Sequence, residues 1–168
     1  YFSVVYSGNT AEYISQYYCW SDITLKTTVN NKNITTIGSY FFQQGKSGGG
    51  TNKSVKNLYA NSITTFEGAS AFEGATALVT VSMTSFNGTS IPDSTFSGCS
   101  ALTTFSFGGT SYSASSSTNK LPEGLTTISA YAFLGCSALT QIHIPSTVIS
   151  MGNNVFEGCS NLTIYVPA

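Results

Sequence analysis

Apolar positions recur along this chain in a phrase that returns four times. It reads Phe-Glu-Gly-Ala-Thr-Ala-Leu from Phe72 to Leu78 and Phe-Ser-Gly-Cys-Ser-Ala-Leu from Phe96 to Leu102. It returns as Phe-Leu-Gly-Cys-Ser-Ala-Leu from Phe133 to Leu139 and Phe-Glu-Gly-Cys-Ser-Asn-Leu from Phe156 to Leu162. The spacings between the Phe residues are 24, 37 and 23, so the base period is 23 and the long spacing carries 14 extra residues. A fixed period of this length predicts a stack of coils. One coil cannot bury its own apolar positions, and stacking places each Phe, Leu and Ile on its neighbour's.

The cleanest unit runs from Phe133 to Phe156. Leu139, Ile142 and Ile144 give apolar-x-x-apolar-x-apolar, and the period of 2 across Ile142 and Ile144 predicts a short strand with one buried face. Pro145 ends that strand, because it cannot donate to a ladder. Leu78, Val81 and Met83 obey the same template, as do Leu102, Phe105 and Phe107. The last copy, Leu162, Ile164 and Val166, is one residue shorter. Upstream, the run Ile34 to Phe42 matches the run Leu125 to Phe133. Val55, Leu58 and Ala60 make a degraded strand for that coil, and Ile23 and Leu25 a weaker one. The pattern predicts about five coils and a sixth, degraded one at the N-terminus. Phe42, Phe72, Phe96, Phe133 and Phe156 should form one buried ladder, and Leu78, Leu102, Leu139 and Leu162 another.

The segments Ala132-Phe133, Cys136, Leu139, Ile142, Ile144 and Pro145 make the chain resemble the BspA-like leucine-rich repeats of bacterial and protist surface proteins. The resemblance covers roughly residues 23–166. Ala75 departs from it by replacing a Cys, and two inserts interrupt the period. It implies a fold that is α/β by class but β-rich. This would be a right-handed leucine-rich-repeat solenoid with short parallel strands and irregular or short helical return segments. It also implies a secreted or cell-surface location and carries over no catalytic residues.

Residues 1–22 lack the repeat and are rich in aromatics (Tyr1, Phe2, Tyr6, Tyr13, Tyr17, Tyr18 and Trp20), which reads as an N-terminal cap or degraded repeat. Residues 23–168 form the repeat domain. Its inserts lie near 43–54, with Gly48 to Gly50, Lys46 and Lys53, and near 108–120, with Tyr112 as its one large side chain. In repeat proteins such insertions map to loops, often on a binding face.

Composition narrows the function. Charged residues are 8% of the chain, against about 25% in ordinary globular proteins. Serine and threonine, about 50 residues, fill the gap. The net charge of −1 gives no long-range attraction for nucleic acid or anionic lipid. No apolar run approaches the roughly 20 residues that span a bilayer, so direct membrane insertion is not expected. The chain starts at Tyr1, which reads as a mature or trimmed form lacking its targeting signal. An extracellular or cell-surface monomer is expected.

Cys99, Cys136 and Cys159 share one repeat position, with Cys19 a candidate fourth. They read as small core residues and free thiols, since in-register side chains cannot reach the dihedral a disulfide needs. No metal site or cofactor is expected: zinc needs four convergent ligands, and His143 faces away from the Cys column.

Strand alternation assigns an outward strip: Asn57, Tyr59, Thr80, Ser82, Thr104, Ser106, Gln141, His143, Thr163 and Tyr165. It is polar and uncharged and suits contact with a host or matrix protein or with a glycan, joined by Tyr112 from the second insert. No acid is expected in it. Glu73 and Glu157 share a repeat position but are separated by Ser97 and Leu134, so they cannot act as a glycosidase pair. Catalytic residues are therefore not expected, and a polysaccharide lyase of the β-helix kind is disfavoured. An ice-binding array is suggested by Thr80/Ser82 and Thr104/Ser106 but broken by Gln141, His143 and Tyr165. An adhesin-like interaction module and a structural spacer remain. Asn33, Asn52, Asn87 and Asn161 match the N-glycosylation pattern, which bears only on a eukaryotic source.

Overall fold

The structure, a computed structural model, describes residues 4–14, 21–42, 51–108 and 119–167. Its strands in chain order are β1 (Val4–Ser7), β2 (Thr10–Ile14), β3 (Asp22–Thr24), β4 (Thr28–Val29) and β5 (Lys32–Asn33). There follow β6 (Thr36–Ile37), β7 (Asn57–Tyr59), β8 (Thr65–Phe66), β9 (Thr80–Met83) and β10 (Ser90–Ile91). The last are β11 (Thr104–Phe107), β12 (Thr127–Ile128), β13 (Gln141–His143), β14 (Ser150–Met151) and β15 (Thr163–Tyr165).

Each full rung carries two strands, and the rungs stack. On the front, β3, β7, β9 and β11 pair parallel and in register, with Ile23 over Leu58, Leu58 over Val81 and Val81 over Phe105. β13 and β15 continue this side as a parallel pair. On the back, β6 pairs β8, and β10, β12 and β14 form a parallel set. The hairpin β1–β2 lies against β6 through β2, at the N-terminal end of the back sheet. Tyr6 there is half-buried, and its hydroxyl accepts the Lys26 N–H at 3.2 Å. A small hairpin, β4–β5, completes the set.

No helix occurs among the described residues. The return segments are runs of turns, so the helical half of the expected α/β class is not met. The cause is local. In each of these returns a Gly at positive φ stands two residues after the ladder Phe. Gly74, Gly98, Gly135 and Gly158 have φ of 70–77°, and that conformation stops a helical turn from propagating. A Cβ on Gly158 would also approach the Cα of Gly135 to 3.2 Å, closer than the stack allows without a shift.

The core is the predicted column of ladders. Phe42, Phe72, Phe96 and Phe133 are fully buried, and Phe156 is half-buried. Ring centroids lie 5.1 Å apart from Phe72 to Phe96, 5.2 Å from Phe96 to Phe133 and 5.7 Å from Phe133 to Phe156, all stacked. Phe42 meets Phe72 edge-on at 5.1 Å. Leu78, Leu102 and Leu139 are buried, whereas Leu162 is only half-buried. The ladders thus hold along the stack and loosen at the last described rung, which among the described residues has a neighbour on one side only.

The repeated Cys has a chemical reason. The carbonyl of each of Phe72, Phe96 and Phe133 accepts the N–H of the residue three positions on in its own rung. It then accepts the thiol of the next rung with its second lone pair. Cys99 Sγ donates to Phe72 O at 3.1 Å, Cys136 Sγ to Phe96 O at 3.2 Å and Cys159 Sγ to Phe133 O at 3.1 Å. All three are free thiols. Burial pushes the Cys99 thiol up to about 12. When Cys159 ionises, the Cys136 thiol can turn from Phe96 O to donate to the thiolate, which lowers the half-exposed Cys159 to about 7 and raises Cys136 in turn. Cys19 lies outside the described residues.

Candidate functional site

The front sheet presents two outward rows. The first runs Asp22, Asn57, Thr80 and Thr104, and the second Thr24, Tyr59, Ser82 and Ser106, each in register. Farther along, Gln141 aligns with Thr163, and His143 with Tyr165. Alternation places them as expected, since the intervening residues Leu58, Val81, Phe105 and Ile142 are all buried.

The expectation of an acid-free strip fails at its first rung. Asp22 stands beside Asn57, whose amide donates to Asp22 Oδ1 at 2.5 Å, and Ser21 donates to Oδ2 at 3.0 Å. These two hydrogen bonds hold the carboxyl below its ordinary range. The sequence signal was the in-register match of Ile23 with Leu58, which sets Asp22 and Thr24 outward. Ser82 Oγ donates to Asn61 Oδ1 at 2.8 Å, so Asn61, on the turn after β7, also lines the strip.

The larger correction concerns His143. It is buried, at 5% exposure, and does not line an open surface. The cause is the second insert. Residues 109–118, including Tyr112, lie outside the described residues, but the chain returns as a partial rung between β11 and β13. Lys120 bridges His143 in parallel; His143 N–H donates to Asn119 O at 2.9 Å and Leu121 N–H to His143 O at 3.0 Å. On the other side the His143 ring stacks on Tyr165, centroids 4.5 Å apart and planes 11° apart. Burial, then the neighbouring Lys120 charge, lowers the His143 pKa.

Asn119 holds the extra rung. Its side chain does on one edge what a strand backbone would do. Oδ1 accepts the Phe105 N–H at 2.8 Å, and Nδ2 donates to Thr103 O at 2.8 Å and Gln141 O at 3.1 Å. The residue is buried and left-handed, with φ of 57°, a conformation Asn tolerates well. The signal in the sequence was a duplication: Lys120-Leu121-Pro122 repeats His143-Ile144-Pro145. The front is therefore spread by one rung between β11 and β13, while the Phe96 and Phe133 rings still stack at 5.2 Å.

The rest of the strip is open. Tyr59 and Tyr165 are 39% and 46% exposed, and Ser106 and Thr163 are exposed as well. Asn57, Thr80, Ser82, Thr104 and Gln141 are half-buried. No cluster of metal-ligating side chains occurs among the described residues. Asn52, a glycosylation-pattern residue, is buried, and its Oδ1 accepts the Ser54 and Val55 N–H groups.

Comparison with known proteins agrees with this geometry. Residues 12–119 and 110–168 match the BspA type leucine rich repeat region, in six copies. A leucine rich cell surface protein of Faecalibacterium prausnitzii A2-165 has a similar fold, with a TM-score of 0.64 at 22% identity. The alignment covers 88% of this chain and 32% of that one, so the chain spans about a third of that relative. A leucine-rich repeat protein from Bacteroides ovatus ATCC 8483 aligns at 23% identity and TM-score 0.49, over 84% of this chain and 35% of that one. A T. pallidum leucine rich repeat protein (TpLRR) aligns at 17% identity and TM-score 0.47, over 98% of this chain and 67% of that one. No curated protein matches the chain. The chain belongs to the family of BspA-type leucine-rich repeat regions.

Proposed function

We propose that this chain is a non-catalytic, adhesin-like interaction module of a secreted or cell-surface protein. It is a right-handed solenoid that meets a protein or glycan partner, as a monomer, through its front strip. The observation that carries this reading is the continuous pair of outward rows across β3, β7, β9 and β11. They are wetted by hydroxyls and amides, with Asp22 as the single charge. The family and the description of the F. prausnitzii relative as a cell surface protein support the location.

Such a face binds through short polar contacts and the rings of Tyr59 and Tyr165. Salt should matter little, because few ion pairs are there to be screened. Affinity for one domain is modest and gains from several copies on one surface. The test is an array of matrix proteins and glycans probed with the purified domain, followed by the Tyr59→Ala/Tyr165→Ala variant. Loss of the hit with an intact fold is the expected result. An unchanged hit moves the site off the front strip, and an affinity that falls steeply with salt rejects uncharged contact. A structural spacer is the second reading, favoured by the chain spanning only 32% of its longer relative. A blank array would support it.

A further inference from the structure

Two residues before each ladder Phe, the backbone enters the left-handed region. Tyr40, Ser70, Ser94, Tyr131 and Asn154 have φ of 56°, 60°, 53°, 58° and 55°. That conformation is at home in Asn and unfavourable for a bulky side chain. The five positions form one column. Tyr40 N–H donates to Ala69 O at 3.2 Å, Ser70 N–H to Asp93 O at 2.9 Å, Ser94 N–H to Ala130 O and Tyr131 N–H to Asn153 O, both at 3.0 Å.

Tyr40 and Tyr131 therefore stand three rungs apart, about 14 Å at ordinary strand spacing. The extra rung does not intrude here, because the adjoining Phe72, Phe96 and Phe133 rings stack without a gap. Both tyrosines are exposed, at 48% and 42%. Among the described residues neither ring lies against another aromatic ring. Between them the column carries only Ser70, which is buried, and Ser94, which is half-buried, so the surface dips to a floor of short side chains. Asp93, exposed, flanks this floor. Twice, then, the chain places a large ring in a strained conformation where it adds little to the core. Strain retained at the surface without a packing gain marks a site of use.

We propose that Tyr40 and Tyr131 are paired stacking platforms for a neutral, extended oligosaccharide lying along the stack over Ser70 and Ser94. A tyrosine ring offers a flat apolar face for the apolar side of a sugar ring and a hydroxyl for its edge. The gap suits a chain of about three sugar units. Asp93 accepts hydrogen bonds from sugar hydroxyls and disfavours acidic glycans by charge. This surface is a corner of the rung separate from β7, β9 and β11, so it goes beyond the front-strip reading.

The test uses isothermal titration with cellohexaose, xylohexaose, mannohexaose, laminarihexaose and maltohexaose. Tyr40→Asn and Tyr131→Asn are chosen because Asn suits the left-handed backbone. Each should weaken the hexasaccharide that binds by at least about tenfold, and the double variant should abolish binding. The thermal midpoint should meanwhile hold or rise. Tyr40→Phe with Tyr131→Phe should keep binding. Opposite signs for binding and stability are what a merely structural role cannot produce. The inference is overturned if no hexasaccharide binds, if the double Asn variant binds like the parent, or if its midpoint falls together with binding. Binding that survives in the Asn variants but is lost in Tyr59→Ala/Tyr165→Ala overturns this site while leaving the front-strip reading standing.

Discussion

At the scale of single residues, the column of thiols and the buried imidazole make the sharpest predictions. Among the described residues Cys159 is the outermost thiol and the one that ionises first, because its thiolate can accept the Cys136 S–H, which lowers it to about 7. A thiol reagent on the native protein should therefore react with Cys159 before the buried Cys99 and Cys136, and faster as pH rises through that value, because the thiolate is the nucleophile. In Cys136→Ala the donor is gone, and the rate profile of Cys159 should move up toward the ordinary thiol range. The same variant should cost only about 1–2 kcal/mol in urea unfolding, since Phe96 O keeps its bond from the Cys99 N–H. Ala75 already stands at this position in one rung. His143 has a folded pKa below its unfolded value, because burial and Lys120 both disfavour the proton. The unfolded chain thus takes up the proton first. Its contribution to stability is complete above the unfolded value of about 6.5 and is lost as pH falls through it toward the folded pKa. Urea midpoints measured from pH 8 to pH 5 should fall in the parent and fall less in His143→Gln. Equal slopes would remove His143 as the cause.

At the scale of elements, the partial rung is the feature to test. Asn119→Ala strips the Phe105 N–H of its acceptor and Thr103 O and Gln141 O of a donor, all between β11 and β13. The expected cost is about 2–4 kcal/mol, because the orphaned groups carry a desolvation penalty. Asn119→Asp should be no better: it keeps an acceptor, loses both donors and buries a charge. A loss below about 0.5 kcal/mol in both would mean that the rung is held by something else. This element also shows where sequence reading ran out. The ladders of Phe96, Phe133, Leu102 and Leu139 were legible because stacking imposes one side-chain type at one period, and a period survives local noise. The strip was legible at Tyr59 and Tyr165 for the same reason, through strand alternation. His143 was not, because alternation gives the face of a residue and says nothing of what covers that face. The cover here is Lys120, arriving from an insert whose Ser-rich composition reads as loop. The left-handed column at Tyr40 and Tyr131 was hidden too, since Tyr, Ser and Asn share no side-chain signature and only the backbone unites them.

At the scale of the whole molecule, stability is a sum over neighbouring rungs, and this sets a gradient along the stack. In a one-dimensional array each rung is stabilised by its own packing and by its interfaces, so an internal rung counts two interfaces and a terminal one counts one. The apolar positions record the difference. Phe133 has Phe96 on one side at 5.2 Å and Phe156 on the other at 5.7 Å, and it is fully buried. Among the described residues Phe156 stacks on Phe133 alone, and it is half-buried. In the same rung Ile164 is 44% exposed, whereas its counterpart Ile142 is fully buried. Phe133→Ala should therefore cost roughly 3–5 kcal/mol, the range for a closed Phe site that cannot collapse. Phe156→Ala should cost less than half of that, since a half-exposed ring leaves no sealed cavity. Amide exchange gives the independent reading. Protection should be greatest at Val81, Phe105 and Ile142 and least at Thr163 and Tyr165, because the last rung opens without disturbing those beneath it. Phe156→Ala should then speed exchange in β13 and β15 and leave β7 and β9 unchanged. Equal costs for the two substitutions, or exchange that quickens evenly along the stack, would show a single cooperative unit instead of a chain of neighbour interfaces.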